Sequence, residues 1–202
     1  MASTHYLSTP LREEDVRRLR VGDEVYLSGV VYTLRDKAHR RVLELFEKGE
    51  KPPFDLEGAA IFHAGPIAAR RGDGWELVVI GPTISPRFNR YGPFVIRELG
   101  VRAIVGFGGM DEKTLEAMSS VGAVYLAYTG GAASACTKGF RGFRAVHWLE
   151  FGIPDAVWEL VAENWGPLIV AMDSHGNSLY EKLRRSWSQK LEELRKKLWS
   201  SG

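Results

Sequence analysis

With 202 residues, 45% of them hydrophobic and 26% charged, the chain has enough apolar material to bury one globular core, with or without an appendage. A formal charge of +2 is too small to demand a nucleic-acid partner, and much of the excess sits near the C-terminus. No apolar run is long enough to cross a bilayer, and the opening MASTHYLSTPLREED lacks the apolar centre of a signal peptide, so no membrane partner and a cytoplasmic location are expected.

In chain order, Thr9-Pro10 reads as an N-cap and first helical position, opening a short charged helix to about Leu19 before Gly22-Asp23 turns the chain. Glu24 to Tyr32 alternates like a half-buried strand, and Ala38, Val42, Leu45 and Phe46 then recur at helical spacing up to Gly49. Ala59 to Ala64 is a buried strand, Ile67 to Gly74 a polar loop, and Leu77 to Ile80 another strand. After the Gly81 loop come a short helix through Leu99, a strand from Ala103 to Phe107, a helix capped by Asp111 and stopped at Gly122, and a strand from Val124 to Tyr128. Gly130-Gly131-Ala132-Ala133 makes a small-residue turn. Phe143 to Trp148, a helix from about Asp155 to Glu163, and Leu168 to Met172 follow. Alternating strands and helices with Gly-rich turns at strand ends predict an α/β domain with a largely parallel sheet, with an antiparallel part ahead of it. From Ser178 to Trp199, Leu179, Leu183, Trp187, Leu191, Leu194 and Leu198 step by three or four, which predicts one long amphipathic helix packed on its own domain or on a partner.

The chemistry concentrates in GPTISPRFNRY, Gly81 to Tyr91. A strand emptying into a Gly-Pro-Thr turn aims backbone N–H groups and the Thr83 hydroxyl at one spot, and Arg87 adds a fork that fits a planar carboxylate. A small organic acid is the ligand such a loop suits; an ordinary solvated turn with a surface Arg is the plainer alternative. The single Cys136 cannot by itself hold an iron–sulfur cluster, and the five histidines show no metal-ligand spacing, so no metal site is expected in this chain.

Gly22-Asp23, Leu34-Arg35-Asp36-Lys37-Ala38-His39, His63-Ala64-Gly65-Pro66, Gly81-Pro82-Thr83 with Arg87, and Gly130-Gly131-Ala132-Ala133 occur in one order and at comparable spacing. In this the chain resembles the β subunit, or C-terminal domain, of class I fumarases and L-tartrate dehydratases, from about Gly22 to Asn177. The resemblance implies a mixed α/β fold of the swivelling β/β/α type with a central, largely parallel sheet over residues 1–177. Residues 178–202 are then an added C-terminal helix. It also implies an iron–sulfur hydro-lyase split over two chains. An α subunit with three cysteines supplies a four-iron, four-sulfur cluster, and the β subunit caps that site and grips substrate carboxylate, each chain present twice in a heterotetramer with a homodimer contact.

Carried over by resemblance, Arg35 and Arg87 bind substrate carboxylate, and Thr83 stands beside the reacting carbon as a proton relay or positioning group, a free hydroxyl being a very weak base. Asp36 and His39 match as well, with orientation of Arg35 as the role implied; a packed helix histidine is the plain alternative for His39. The chain departs from the family pattern at Ile84, where a second Thr is usual, at Phe88-Asn89, where Met-Asp is usual, and at Phe107, where a Lys is usual. Loss of that ammonium suits a substrate with one fewer charge or with an apolar substituent. Two functions follow: the β half of a cluster-dependent dehydratase acting on a small hydroxy acid such as malate or tartrate, and a non-catalytic small-acid-binding or assembly module of the same fold.

Overall fold

The computed structural model describes residues 2–199, with the side chains of residues 189, 192–193 and 196–199 outside the description. Strands β1 (Thr4–Ser8), β2 (Glu24–Thr33), β3 (Ala60–Phe62), β6 (Ala103–Gly106) and β7 (Val124–Ala127) run parallel in the spatial order β1-β2-β3-β6-β7. Helix α2 (Asp36–Glu47) carries the chain from β2 to β3, and α4 (Glu112–Val121) carries it from β6 to β7. Such parallel neighbours need crossovers of this kind. Strand β9 (Val157–Met172) then runs antiparallel to both β7 and β2, so β2, β3, β6, β7 and β9 close into a ring, and β8 (Phe140–His147) pairs with the first half of β9.

Closure explains the sequence pattern. Alternate residues of each strand point inward, among them Val25, Leu27, Val31, Phe62, Val105, Leu126, Leu160, Trp165 and Val170. Helix α1 (Glu13–Arg17) contributes Val16 to this same core. Phe62, Phe140 and Trp165 stack there with ring centroids 4.6 to 6.3 Å apart. The opposite residues, including Ile61, Ile104 and Tyr125, face a second core built with α2, α3 (Gly92–Arg97) and α4. Each fully buried large side chain in these layers contributes about 1.5–3 kcal/mol, so the barrel ends are held on a stiff frame.

Helices α2 and α4 form where periodicity and capping predict them. Asp111 caps α4 by accepting the Thr114 N–H at 3.0 Å, and Gly122 ends it at φ +75°, which suits a residue without a Cβ. Other expectations are corrected. Thr9 is no N-cap: its hydroxyl donates to the Val30 carbonyl at 2.8 Å, β1 precedes it, and α1 starts only at Glu13. Residues 67–74 are not a polar loop but belong to a ribbon of β4 (Ile67–Arg71) and β5 (Gly74–Val79), pinned by Trp75 against Trp158 at 5.4 Å. The helix expected over 155–163 is the first half of β9. The antiparallel part follows the parallel strands instead of leading them.

Helix α6 (Leu179–Trp199) occupies the expected span, with Leu179 and Tyr180 packed on the outer core. Beyond them Leu183, Leu191 and Leu194 are exposed, and so is Trp187 at 74%. The second Trp of this helix, Trp199, has its side chain outside the described residues, as does all of 200–202. Among the described residues no helix is long and apolar enough to cross a membrane.

Candidate functional site

Parallel strands put all their carboxyl ends on one side, and loops there are the usual seat of ligands in α/β proteins. Every motif singled out in the sequence except Gly22-Asp23 sits at that end. Leu34 bonds by its N–H to the Phe62 carbonyl at 3.1 Å, delivering Arg35 as the residue before α2. The Gly81 segment lies across the ends of β3 and β6: Pro82 bridges Ala64, the Thr83 N–H donates to the His63 carbonyl, and the Ser85 N–H donates to the Phe107 carbonyl, both at 2.7 Å. Gly81 abuts Ala133, where a Cβ would stand 2.9 Å from the Ala133 Cβ, and Gly130 abuts the Phe107 ring. Helix α5 (Ala133–Thr137) starts at that contact, and the Thr137 hydroxyl accepts the Ile80 N–H at 2.9 Å.

These contacts correct one part of the sequence argument. The N–H groups of Thr83 and Ser85 are taken by backbone carbonyls, and Pro82 and Pro86 have none, so these four residues offer no backbone donor to an anion. Its cationic groups remain. Arg87 donates from Nη2 to Asp36 Oδ2 at 2.5 Å, with the two side chains 45% and 40% exposed. An ion pair that exposed is worth at most about 1 kcal/mol, so a ligand carboxylate can replace Asp36 in the guanidinium fork. Asp36, expected to orient Arg35, instead holds Arg87.

Arg35 has other partners. Its Nη1 donates to the Pro154 carbonyl at 3.4 Å and its Nε stands 3.7 Å from Asp155 Oδ1; both Nε and that carboxylate oxygen are buried without a hydrogen-bond partner among the described residues. Gly65 makes room for it, since a Cβ there would overlap the Pro154 carbonyl and lie 2.8 Å from Arg35 Nη1. Thr83 is half-buried, and no described group hydrogen-bonds its hydroxyl. Ile84 and Phe107 pair side by side along the strand ends and are 45% and 43% exposed, an apolar wall beside the cationic groups.

His39 lies under this surface. Its Nδ1–H donates to the Arg35 carbonyl at 2.9 Å, and its ring stacks between Phe88 and Tyr91 at 4.9 and 5.1 Å. Burial holds its pKa down at about 4, so it is neutral and tethers the start of α2 to the segment carrying Arg87. His63, fully buried 5.4 Å from His39, is likewise pushed well below the ordinary range, first by burial and then by His39.

Sequence reasoning missed Asp155, assigned to a helix start, and missed Ser85, whose buried side chain meets His63, and Tyr125, which bonds to Ser85. The one available signal was Gly106 at a strand end, where a side chain would strike Ser85. The residues present do not fit an iron–sulfur cluster. Cys136 is fully buried beside Trp165 with its thiol pushed up to about 12 by that burial, and the described residues contain no group of three or more His, Cys, Asp or Glu able to hold a metal.

The fold and site define an α/β barrel domain that gathers two arginines, a threonine and a paired carboxylate at the carboxyl end of its parallel strands. Residues 3–183 match the family model described as the fumarase C-terminus, and the chain belongs to that family. It is 46% identical over 190 residues to a Methanocaldococcus jannaschii protein named "Putative L(+)-tartrate dehydratase subunit beta", covering 94% of this chain and 97% of that one. It is 40% identical over 185 residues to the Escherichia coli (strain K12) "L(+)-tartrate dehydratase subunit beta", covering 91% and 90%. A Geobacillus stearothermophilus protein named "Putative fumarate hydratase class I" is 39% identical over 195 residues, which is 96% of this chain and 37% of that longer one.

Proposed function

We propose that this chain is the β subunit of a hydro-lyase that adds or removes water on a small hydroxy acid or its unsaturated partner, its relatives' names giving tartrate and fumarate. The observation that carries the proposal is the convergence of Arg35, the Arg87–Asp36 pair and Thr83 at one end of the barrel in a chain 40–46% identical to named tartrate dehydratase β subunits.

In this reading Arg87 exchanges Asp36 for a substrate carboxylate, and Arg35, braced by Pro154 and Asp155, carries a second cation to the same region. Thr83, its backbone fixed to His63, holds its hydroxyl toward the carbon that loses or gains a proton, relaying that proton and not acting as an independent base. A four-iron, four-sulfur cluster and the cysteines that ligate it belong to an α partner that covers the Gly81 and Arg35 segments, in an assembly containing each chain twice. The location is cytoplasmic.

The exposed Ile84 and Phe107 favour a second reading, a small-acid-binding or assembly module without catalysis. Co-expression with the α subunit under anaerobic conditions, followed by turnover of L-tartrate, fumarate and malate, separates the two. The hydro-lyase reading expects a pair that copurifies with visible cluster absorbance and turns over one of these acids, while the isolated chain is colourless and inactive. A colourless pair, or a coloured pair without turnover of any hydroxy acid, supports the binding module.

A further inference from the structure

Ser85, His63 and Tyr125 meet beneath the loop that carries Thr83 and Arg87, and nothing in the reaction above uses them. The Gly109 N–H donates to Tyr125 Oη at 3.2 Å, and the Tyr125 hydroxyl donates to Ser85 Oγ at 2.9 Å. Ser85 Oγ lies 2.9 Å from His63 Nδ1, and a hydroxyl that accepts from Tyr125 has its own proton to give to that nitrogen. With that direction His63 carries its ring proton on Nε2; that nitrogen is buried without a partner among the described residues. All three side chains converge on Gly106: a Cβ there would overlap Ser85 Oγ and stand 3.1 Å from Tyr125 Oη and 3.4 Å from His63 Nδ1. A strand-end residue whose missing Cβ leaves room for three polar atoms marks an arrangement with little freedom to shift.

We propose that Tyr125, Ser85 and His63 form a one-directional hydrogen-bond relay that fixes His63 as the Nε2–H tautomer and positions Thr83 and Arg87 for the reaction. Ser85 sits two residues from each. The segment is tied to His63 twice, by the Thr83 N–H to the His63 carbonyl and by the Ser85 hydroxyl to the His63 ring. Cutting the side-chain tie leaves the loop its backbone contacts with His63, Ala64 and Phe107 but removes the bond that fixes the Ser85 side chain between Thr83 and Arg87, and misplacement of reacting groups by about 1 Å costs on the order of 10²-fold in rate. The loss falls on kcat because Arg35, held on a different element, still binds acid. The proposal rests on the hydro-lyase reading of the site.

The test uses the co-expressed αβ enzyme with L-tartrate and fumarate as substrates, and the variants Ser85→Ala, Tyr125→Phe and Arg35→Ala. The relay predicts that Ser85→Ala lowers kcat by about 10- to 100-fold with KM changed less than about threefold, and that Tyr125→Phe does so more mildly. In ¹⁵N-labelled chain, His63 should show the Nε2–H tautomer, and Ser85→Ala should mix the two tautomers, a readout that a purely structural role would not move. Full turnover in Ser85→Ala while Arg35→Ala is impaired overturns the relay alone. Full turnover in Arg35→Ala shows that the site reading itself has failed, and a wild-type Nδ1–H tautomer overturns the relay whatever the kinetics.

Discussion

His39 makes the fold sensitive to mild acid in a way that one substitution isolates. In the unfolded chain it titrates near 6.5, whereas in the native core burial lowers it to about 4. Between those values the unfolded state binds a proton that the native state refuses. Stability is therefore fully present above 6.5 and is lost as pH falls toward 4. For one group with these two pKa values, going from pH 7 to pH 5 removes about 2 kcal/mol, a substantial part of a typical domain stability of roughly 5–15 kcal/mol. His63, lowered by burial and then by His39, acts in the same direction. His39→Phe keeps a ring between Phe88 and Tyr91 but gives up the bond to the Arg35 carbonyl, at about 1 kcal/mol. The variant should be less stable than wild type at pH 7 and more stable at pH 5, by urea unfolding followed through tryptophan fluorescence. Parallel pH dependence in the two proteins would show that His39 is not held neutral in the native state.

The N-cap of α4 is a separate test of the frame: Asp111→Ala leaves the Thr114 N–H and hydroxyl without their acceptor and should lower unfolding free energy by about 1 kcal/mol in the same assay, with no change in substrate KM. Gly65→Ala forces Arg35 off the Pro154 carbonyl and should raise KM for the acid by about tenfold while circular dichroism stays native; an unchanged KM would remove Arg35 from the binding site. Phe107→Lys places an ammonium on an exposed, solvated position at the strand ends and should shift the ratio of kcat/KM toward dicarboxylic substrates, whereas an unchanged ratio would put Phe107 outside the pocket.

How far the chain could be read in advance depended on how local the determining contacts were. Helices α2 and α4 announce themselves through 3.6-residue periodicity and the Asp111 and Gly122 caps, which need no tertiary context. Strand β9 does not. Its period of two breaks where the pairing with β2 bulges between Val25 and Leu27 and between Leu27 and Gly29, and Asn164 adopts φ +46° in mid-strand. With Pro167 close behind, the first half resembles a helix turn followed by a breaker. The β4–β5 ribbon is mostly solvated and was hidden by its polar residues, since Ala68, Trp75 and Leu77 are its side chains packed on the core. In the site, Arg35, Thr83 and Arg87 could be named from motif spacing. The partners that orient them could not: Pro154 lies 119 residues from Arg35, Asp36 lies 51 from Arg87, and Tyr125 lies 40 from Ser85. Barrel closure creates those contacts, and no local pattern encodes them.

The central claim is that Arg35 and Arg87 grip substrate carboxylate in a site completed by the α subunit. It is tested most directly by steady-state kinetics of the copurified αβ enzyme carrying Arg35→Ala, Arg87→Ala or the corresponding Lys substitutions. Each Ala variant should lose on the order of 2 to 5 kcal/mol of transition-state binding in kcat/KM, and Lys should rescue poorly because a point charge cannot reproduce the two-pronged guanidinium contact. Full turnover with unchanged KM in both Ala variants would contradict the account and leave the small-acid-binding module as the better description of this chain.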